Sequence, residues 1–315
     1  MDTTPIIVGA GWAGMIAAER WSEARIYEIR SPSECSANFI RMRADSLANA
    51  LKLPATKVTA YSCVLSIDGD SFSYRDQATP ADMINYSRKV IGVLSARSIM
   101  STGRHTRWVV GADALLELRH RHRSRIKYNA VLAPSHWADP SIQIINTAPL
   151  ECAADALEIP LSHGVAAHTV TLIRAPVLGA DSSLSVTLYV PSPDTPVSRI
   201  TLSEGWLVLE LTHPVPSTAS VIELARASLG LHPHELGEPQ SITQPSKLAP
   251  QSEEARAVIY AMSINHNVWS LGRHATARPG VLIEHLPHDC DVISRLIALR
   301  SESCQYKSLL GAIKR

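Results

Sequence analysis

The sequence predicts an α/β fold in which a parallel-sheet domain carries an inserted antiparallel β-sheet domain (α+β). Residues 5–29 read as a strand, a glycine-rich turn, an alanine-rich helix and a second strand, which is the opening unit of a parallel sheet. Short β-type runs joined by tight turns follow between residues 169 and 211, as is typical of an antiparallel sheet. Residues 268–275 then read as a strand, and residues 290–300 read as a closing amphipathic helix.

The remaining elements follow from local signals. Pro54 ends a short helix, and Pro80 suits the first turn of a longer one whose apolar groups recur at helical spacing. Proline and glutamine enrichment predicts a connection over residues 233–250. The sequence thus predicts helices over 46–51, 80–93, 112–127 and 221–229, and strands over 57–67, 126–132 and 142–150.

The opening stretch has three glycines at G-x-G-x-x-G spacing. Gly9 would allow the tight turn, Gly11 a close approach of the backbone to a pyrophosphate, and Gly14 close packing of helix on strand. Glu28 follows the second strand, where a carboxylate can accept hydrogen bonds from a ribose. The pattern predicts a Rossmann-like dinucleotide site, and a tight turn without a ligand is the alternative. We expect the site to include the neighbouring residues Trp12, Ala13, Ile29 and Arg30.

Composition narrows the class of protein. The 315 residues are 45% hydrophobic and 19% charged, with a net charge of +1, so no overall field favours nucleic acid or a membrane. Five scattered cysteines never form C-x-x-C, which disfavours a disulfide framework, a zinc site and a dithiol centre. No targeting segment or membrane-spanning run is evident. We expect a cytoplasmic protein without a metal.

The length of the chain favours two intimately joined domains. Segments 1–55, 112–150 and 265–315 are predicted to form the dinucleotide-binding domain. Segments 56–111 and 151–264 are predicted to form a substrate-side domain.

Two groups of side chains are candidates for substrate chemistry. Tyr86 and Lys89 lie about one turn apart on the helix predicted over 80–93, where they could shape or protonate a site. Arg41, Arg199 and Lys247 are candidates to hold an anionic substrate group. The alternatives are a core tyrosine, a solvated lysine and a solvated strand face for the arginines.

A basic run closes the helix predicted over 112–127. Such a run is commonly a solvated helix end, where cations favour the C-terminal dipole. A phosphate-bearing partner such as DNA is the alternative. The cations that would contact it are Arg119, Arg121, Arg123, Arg125 and Lys127.

The distant segments carry a family resemblance. Residues 269–276 (WSLGRHAT) and 145–149 (INTAP), combined with the glycine motif, resemble the glutathione-reductase-like superfamily, in the branch of amine oxidases, protoporphyrinogen oxidases and UDP-galactopyranose mutase. The resemblance implies FAD, with Thr147, Gly272 and Arg273 at the cofactor. Compact phage-encoded flavoproteins are also similar over residues 85–92 and 272–280, and they imply a role on hypermodified thymine in phage DNA.

The resemblance implies a flavin oxidoreductase that accepts hydride from a C–H beside a nitrogen. Contacts from both ends of the chain would suit a long ligand, and this favours FAD over NAD. The chain departs from the family where an Arg-x-Gly-Gly-Arg loop is usual, because residues 30–33 read RSPS. Two alternatives are a mutase-like flavoenzyme acting on a nucleotide sugar and a non-catalytic FAD- or NAD-binding protein.

Overall fold

The structure is a computed structural model that describes residues 4–32, 40–69, 71–94, 99, 102–111, 113–162, 167–181, 183–212 and 217–313. The strands are β1 Ile6–Val8, β2 Arg25–Tyr27, β3 Ile40–Met42, β4 Thr56–Asp68, β5 Ser71–Arg75, β6 Gly103–Val110, β7 Ile126–Lys127, β8 Ile144–Asn146, β9 Ala167–Pro176, β10 Leu184–Tyr189, β11 Val197–Ser203, β12 Trp206–Leu211, β13 Gln240–Leu248 and β14 Val268–Ser270. The α-helices are α1 Trp12–Arg20, α2 Ser46–Ala50, α3 Pro80–Ile91, α4 Ala114–Arg121, α5 Pro134–Ala138, α6 Leu150–Ala156, α7 Thr218–Leu229, α8 Glu253–His266 and α9 Leu286–Ile313.

The chain divides into two compact units. Unit 1 comprises Met1–Ala37, Leu115–Gly164 and Ser252–Arg315, and unit 2 comprises Asn38–Ala114 and Val165–Gln251. Residues 38–55 and 112–114, predicted to belong to the dinucleotide-binding domain, fall in unit 2. Residues 151–164 and 252–264, predicted to belong to the substrate-side domain, fall in unit 1.

Unit 1 is built on a five-stranded parallel sheet in the order β14-β8-β1-β2-β7. Its strands β1 and β8 are buried almost throughout, so they are apolar except for Asn146. Helix α1 follows β1 and contacts α9. This is the parallel α/β domain that the opening stretch predicts.

Unit 2 is built on a nine-stranded sheet in the order β13-β9-β12-β11-β10-β4-β6-β3, with β5 beside β4. Its pairs are antiparallel except β10 with β4, which is parallel, so the predicted antiparallel sheet is in fact mixed. One face carries an apolar cluster that includes Leu188, Ile200 and Leu209, and Val221 and Ala225 of α7 belong to the same cluster. The other face carries buried hydroxyl side chains, among them Ser185 and Thr187.

Three predicted elements are wrong in detail. The connection expected over 233–250 contains strand β13, which pairs with β9 in spite of Pro245 because the register shifts between Pro245 and Lys247. The helix expected to reach residue 127 ends at Arg121, and the strand expected over 126–132 is only the two-residue β7. No helix among the described residues is both long enough and apolar enough to cross a membrane.

Candidate dinucleotide site and polar sheet face

The turn between β1 and α1 depends on two of its three glycines for its geometry. Gly9 has a φ of +99°, in the region that favours glycine, and its N–H donates to the carbonyl of Tyr27 at 2.8 Å. A Cβ on Gly14 would overlap the carbonyl oxygen of Gly9. A Cβ on Gly11 would meet nothing within 4 Å, so the space beside Gly11 is open. The turn is therefore closely packed at Gly9 and Gly14 and open at Gly11.

The peptide of Ala10, between the first two glycines, is held from both sides. Its N–H donates to Oε2 of Glu28 at 2.8 Å, and its carbonyl accepts from Nε of Arg119 at 2.8 Å. Glu28 and Arg119 are both buried. Glu28 is predicted at this site from its place after β2, whereas Arg119 is predicted only as part of the basic run, and its contact with the turn is not.

The two neighbouring strands complete the turn. Thr147, directly after β8, donates its hydroxyl to the carbonyls of Val8 and Gly9 at 2.7 and 3.2 Å. Gly272, the second residue after β14, has a φ of +87°, and a Cβ there would lie 2.9 Å from the Cβ of Ala13. Segments from the two ends of the chain thus meet at the first turn of α1.

The residues around this turn fit a dinucleotide. Helix α1 begins without a side-chain cap and with no acid in its first turn, so its positive dipole end can stabilise a bound anion. Glu28 uses one acceptor position on Oε2 and, through the N–H of Arg30 at 3.0 Å, one on Oε1. Because a carboxylate has about four acceptor positions, Glu28 keeps capacity for a ribose. Trp12 and Ala13 are half-buried, and Ile29, Arg30 and Arg273 are exposed.

His274, next to Arg273, has a strongly lowered pKa. Burial, and secondarily the charge of Arg273, lower the pKa of His274 from 6.5 to about 4. The imidazole is therefore neutral at pH 7. Its backbone carbonyl accepts from the N–H of Leu150 at 3.2 Å, which links this segment to α6.

This lowered pKa makes stability acid-sensitive. The unfolded chain binds a proton at position 274 below pH 6.5, whereas the folded chain does so only near pH 4, so stability falls as the pH drops through that window. The shift corresponds to about 3 kcal/mol. We expect the free energy of unfolding of His274→Gln to fall much less between pH 7 and pH 4.5 than that of the wild type, as measured by denaturant unfolding. His288→Gln changes an exposed histidine and is the matched control, so its free energy of unfolding should fall as much as that of the wild type.

In unit 2 the structure brings three of the five candidate residues for substrate chemistry, Tyr86, Arg41 and Arg199, together around Tyr189. The ring of Tyr86 meets that of Tyr189 edge to face, with centroids 5.5 Å apart. Arg41 and Arg199 lie close enough for each charge to affect the other, and Tyr189 is also near Arg41. Tyr86, which is on α3, is buried in an apolar cluster with Val64, Val90 and Ile91, as the core interpretation predicts.

Lys89 has a different environment from the other candidates. Its ammonium donates to the carbonyls of Val190, Ser192 and Val197 at 3.0, 2.5 and 2.7 Å, so it joins α3 to the connection between β10 and β11. Burial lowers the pKa of Lys89 to about 7, and Asp194 opposes that shift. The three carbonyl acceptors also favour the protonated form, because an ammonium has three N–H donors for them whereas a neutral amine has only two. The side chain of Lys247 lies outside the described residues.

Two cations of the basic run are part of the fold. Besides the bond from Arg119 to the glycine turn, Arg125 donates to three backbone carbonyls, of Ala18, Trp21 and Ala24, at 3.1–3.2 Å. These bonds satisfy carbonyls at the end of α1. The other cations have partners in unit 1: Arg121 contacts Glu117, Arg123 contacts His120, and Lys127 lies over the ring of Tyr27. Contact of this run with DNA stays a prediction.

No cluster of three or more potential metal ligands occurs among the residues that the structure describes. The described cysteines, Cys63, Cys152 and Cys290, are free thiols. Burial is the main cause that raises the pKa of each of them, to about 11 for Cys63 and about 12 for Cys290. Neither buried thiol has the lowered pKa of a reactive cysteine.

Comparison with known proteins identifies the class of fold. No protein-family model matches the chain, and no curated protein sequence matches it. Among solved structures, a reduced UDP-galactopyranose mutase is similar with a TM-score of 0.63 and 13% identity, over 95% of this chain and 94% of that one.

Two further structures are similar over nearly their whole lengths. A fatty acid isomerase from P. acnes gives a TM-score of 0.58 at 12% identity, over 93% of this chain and 98% of that one. An oxidoreductase from Methanosarcina mazei gives 0.57 at 10% identity, over 92% and 99%. Identities this low show a shared fold, and the predicted fold class, a Rossmann-like domain with an inserted β-sheet domain, is confirmed.

Proposed function

We propose that this chain is an FAD-dependent oxidoreductase. The observation that carries the proposal is the glycine turn of unit 1. Its Ala10 peptide is fixed between Glu28 and Arg119, while Gly272 from the far end of the chain lies against the first turn of α1. A turn serving only to join β1 to α1 would not require open space at Gly11 or a buried carboxylate with spare acceptor capacity.

The residues of unit 1 divide naturally between the parts of a long dinucleotide. Gly11 and the free N–H groups of the first turn of α1 would hold the pyrophosphate. Glu28 would accept from the adenosine ribose, and Ile29, which is 68% exposed beside it, offers an apolar surface for the adenine. The segment of Gly272 and Arg273 would hold the second half of the ligand, which supports FAD over NAD.

When bound, FAD supplies the redox chemistry, as a hydride acceptor at N5. The protein's share is binding, orientation and electrostatics. We propose a substrate oxidised at a carbon beside nitrogen, as in amine-oxidase-like flavoproteins. This choice rests on the family resemblance of residues 145–149 and 269–276. Action on modified thymine in phage DNA stays a prediction.

A mutase-like function is the second candidate. It is supported by the similarity to a reduced UDP-galactopyranose mutase, which extends over 95% of this chain. Such an enzyme would rearrange a nucleotide sugar without net oxidation. A non-catalytic FAD- or NAD-binding protein is the remaining alternative.

Anaerobic reduction of the purified protein separates these candidates. An amine oxidase should lose its flavin absorbance on addition of a substrate amine, and the absorbance should return with oxygen. A mutase should keep its absorbance with amines, and it should isomerise UDP-galactopyranose only after dithionite reduction. A protein that contains flavin, keeps its absorbance with every amine and does not isomerise UDP-galactopyranose after reduction would favour the non-catalytic alternative.

A further inference from the structure

The polar face of the sheet in unit 2 concentrates positive charge at one place. Residues paired across neighbouring strands have side chains on the same face, and the registers of β3, β6, β4, β10 and β11 put Arg41, Arg107, Thr187 and Arg199 on one face. Arg41 reaches across β6 and β4 to Thr187, with its Nη1 2.7 Å from Oγ1 of Thr187 and 3.4 Å from Oγ of Ser185. The sheet therefore curls so that its edge strand β3 faces β10.

The charges at this place do not balance. Arg199 has an ion pair with Glu210. Arg41 has only the hydroxyls of Thr187 and Ser185 as partners, and no carboxylate contacts it within the described part of the chain. Burial, together with the neighbouring cations Arg199 and Arg107, lowers the pKa of Arg41 to about 10, and Tyr189 opposes that shift. In addition, Nε of Arg199 is buried and makes no hydrogen bond to any described residue.

Arg75 of the same unit, in contrast to Arg41, has a carboxylate as its counter-ion. Arg75 donates from both terminal nitrogens to the carboxylate of Asp82, at 2.8 and 2.9 Å. That bidentate pair raises the pKa of Arg75 and neutralises its charge within the fold. Arg41 has no such counter-ion, although it is the guanidinium whose charge burial disfavours.

Arg41 is half-buried, and a cation that is partly withdrawn from water without a counter-ion lowers stability until an anion pairs with it. We propose that Arg41, Arg199 and Thr187 form a binding site for an oxyanion, a carboxylate or phosphate group of the substrate. Arg41 and Nε of Arg199 donate charge-assisted hydrogen bonds to it, and Thr187 holds the Arg41 guanidinium in place. Calling the ligand the substrate rests on the proposed function, whereas the anion site itself rests on unit 2 alone.

Thermal unfolding with inorganic phosphate or sodium acetate, at constant ionic strength, tests the site. We expect the Tm of the wild type to rise once the anion exceeds Kd and then to increase with the logarithm of its concentration, by about 5 °C or more at a hundredfold above Kd. Arg41→Gln should abolish the rise. Arg104→Gln removes the same charge from an exposed position of unit 2 and should keep the rise. A rise that begins at lower phosphate than acetate would assign a phosphoryl group, and the reverse order a carboxylate.

Arg41→Lys covers the case in which Arg41→Gln does not fold. It keeps the charge but loses the planar, two-pronged donor, so we expect it to bind the same anion about tenfold more weakly. A rise in Tm that is equal in the wild type, Arg41→Lys and Arg104→Gln, or no rise in the wild type at constant ionic strength, would overturn the proposal. A protein that lacks flavin but keeps the Arg41-dependent rise would refute the proposed function and leave the anion site standing.

Discussion

Gly14→Ala is expected to lower the free energy of unfolding by at least about 2 kcal/mol, because the new Cβ would overlap the carbonyl oxygen of Gly9. That neighbour is backbone of a turn held by Tyr27 and Thr147, so it cannot move aside cheaply. Gly11→Ala is the matched variant, because its Cβ would meet open space and its φ of −74° suits any residue. We expect it to change stability by less than about 1 kcal/mol. Denaturant unfolding of both variants measures the difference.

The same pair of variants separates folding from cofactor binding. If a pyrophosphate lies against Gly11, the added methyl group occupies its space, so Gly11→Ala should be folded but poor in bound flavin. Equal stability losses in the two variants would contradict the geometry of the turn. A Gly11→Ala protein that retains flavin as the wild type does would contradict the place assigned to the pyrophosphate.

Lys89→Met is expected to lower the free energy of unfolding by about 3 kcal/mol or more. The substitution keeps the apolar stem but leaves the carbonyls of Val190, Ser192 and Val197 without their shared donor. Arg88→Met removes an exposed charge from the same turn of α3 and should leave stability nearly unchanged. Chemical denaturation compares the two variants.

The Lys89 variant also distinguishes two interpretations of this side chain. If Lys89 holds α3 to the connection between β10 and β11, its loss lowers stability. A Lys89→Met protein with the stability of the wild type but greatly reduced turnover would instead support the catalytic role that the sequence suggested.

Local features of this fold could be predicted from the sequence. The glycine spacing, the apolar run before it and the acid after β2 lie within one stretch of 25 residues, from Ile6 to Arg30. Their geometry is set by the chain itself, so the turn at Gly9 and the place of Glu28 were predictable. Thr147 and Gly272 were found only through the family resemblance, because their contact with this turn depends on strand order.

Long-range contacts could not be predicted. Arg119 belongs to a run that looks like a solvated helix end, and nothing nearby in sequence shows that its Nε reaches Ala10. Arg41 and Arg199 were proposed separately as anion ligands, but their proximity depends on the curl of a sheet whose β10 and β4 pair in parallel. Strand β13 was missed because Gln240, Gln244 and Pro245 do not give the apolar alternation of a half-buried strand.

The proposed function depends above all on FAD binding by the glycine turn of unit 1. Its most direct test is the visible absorption spectrum of the purified protein, with mass identification of the ligand released by acid. We expect the absorption bands of an oxidised flavin and the mass of FAD, in about one copy per chain. A colourless protein that neither releases FAD nor binds added FAD would contradict the claim.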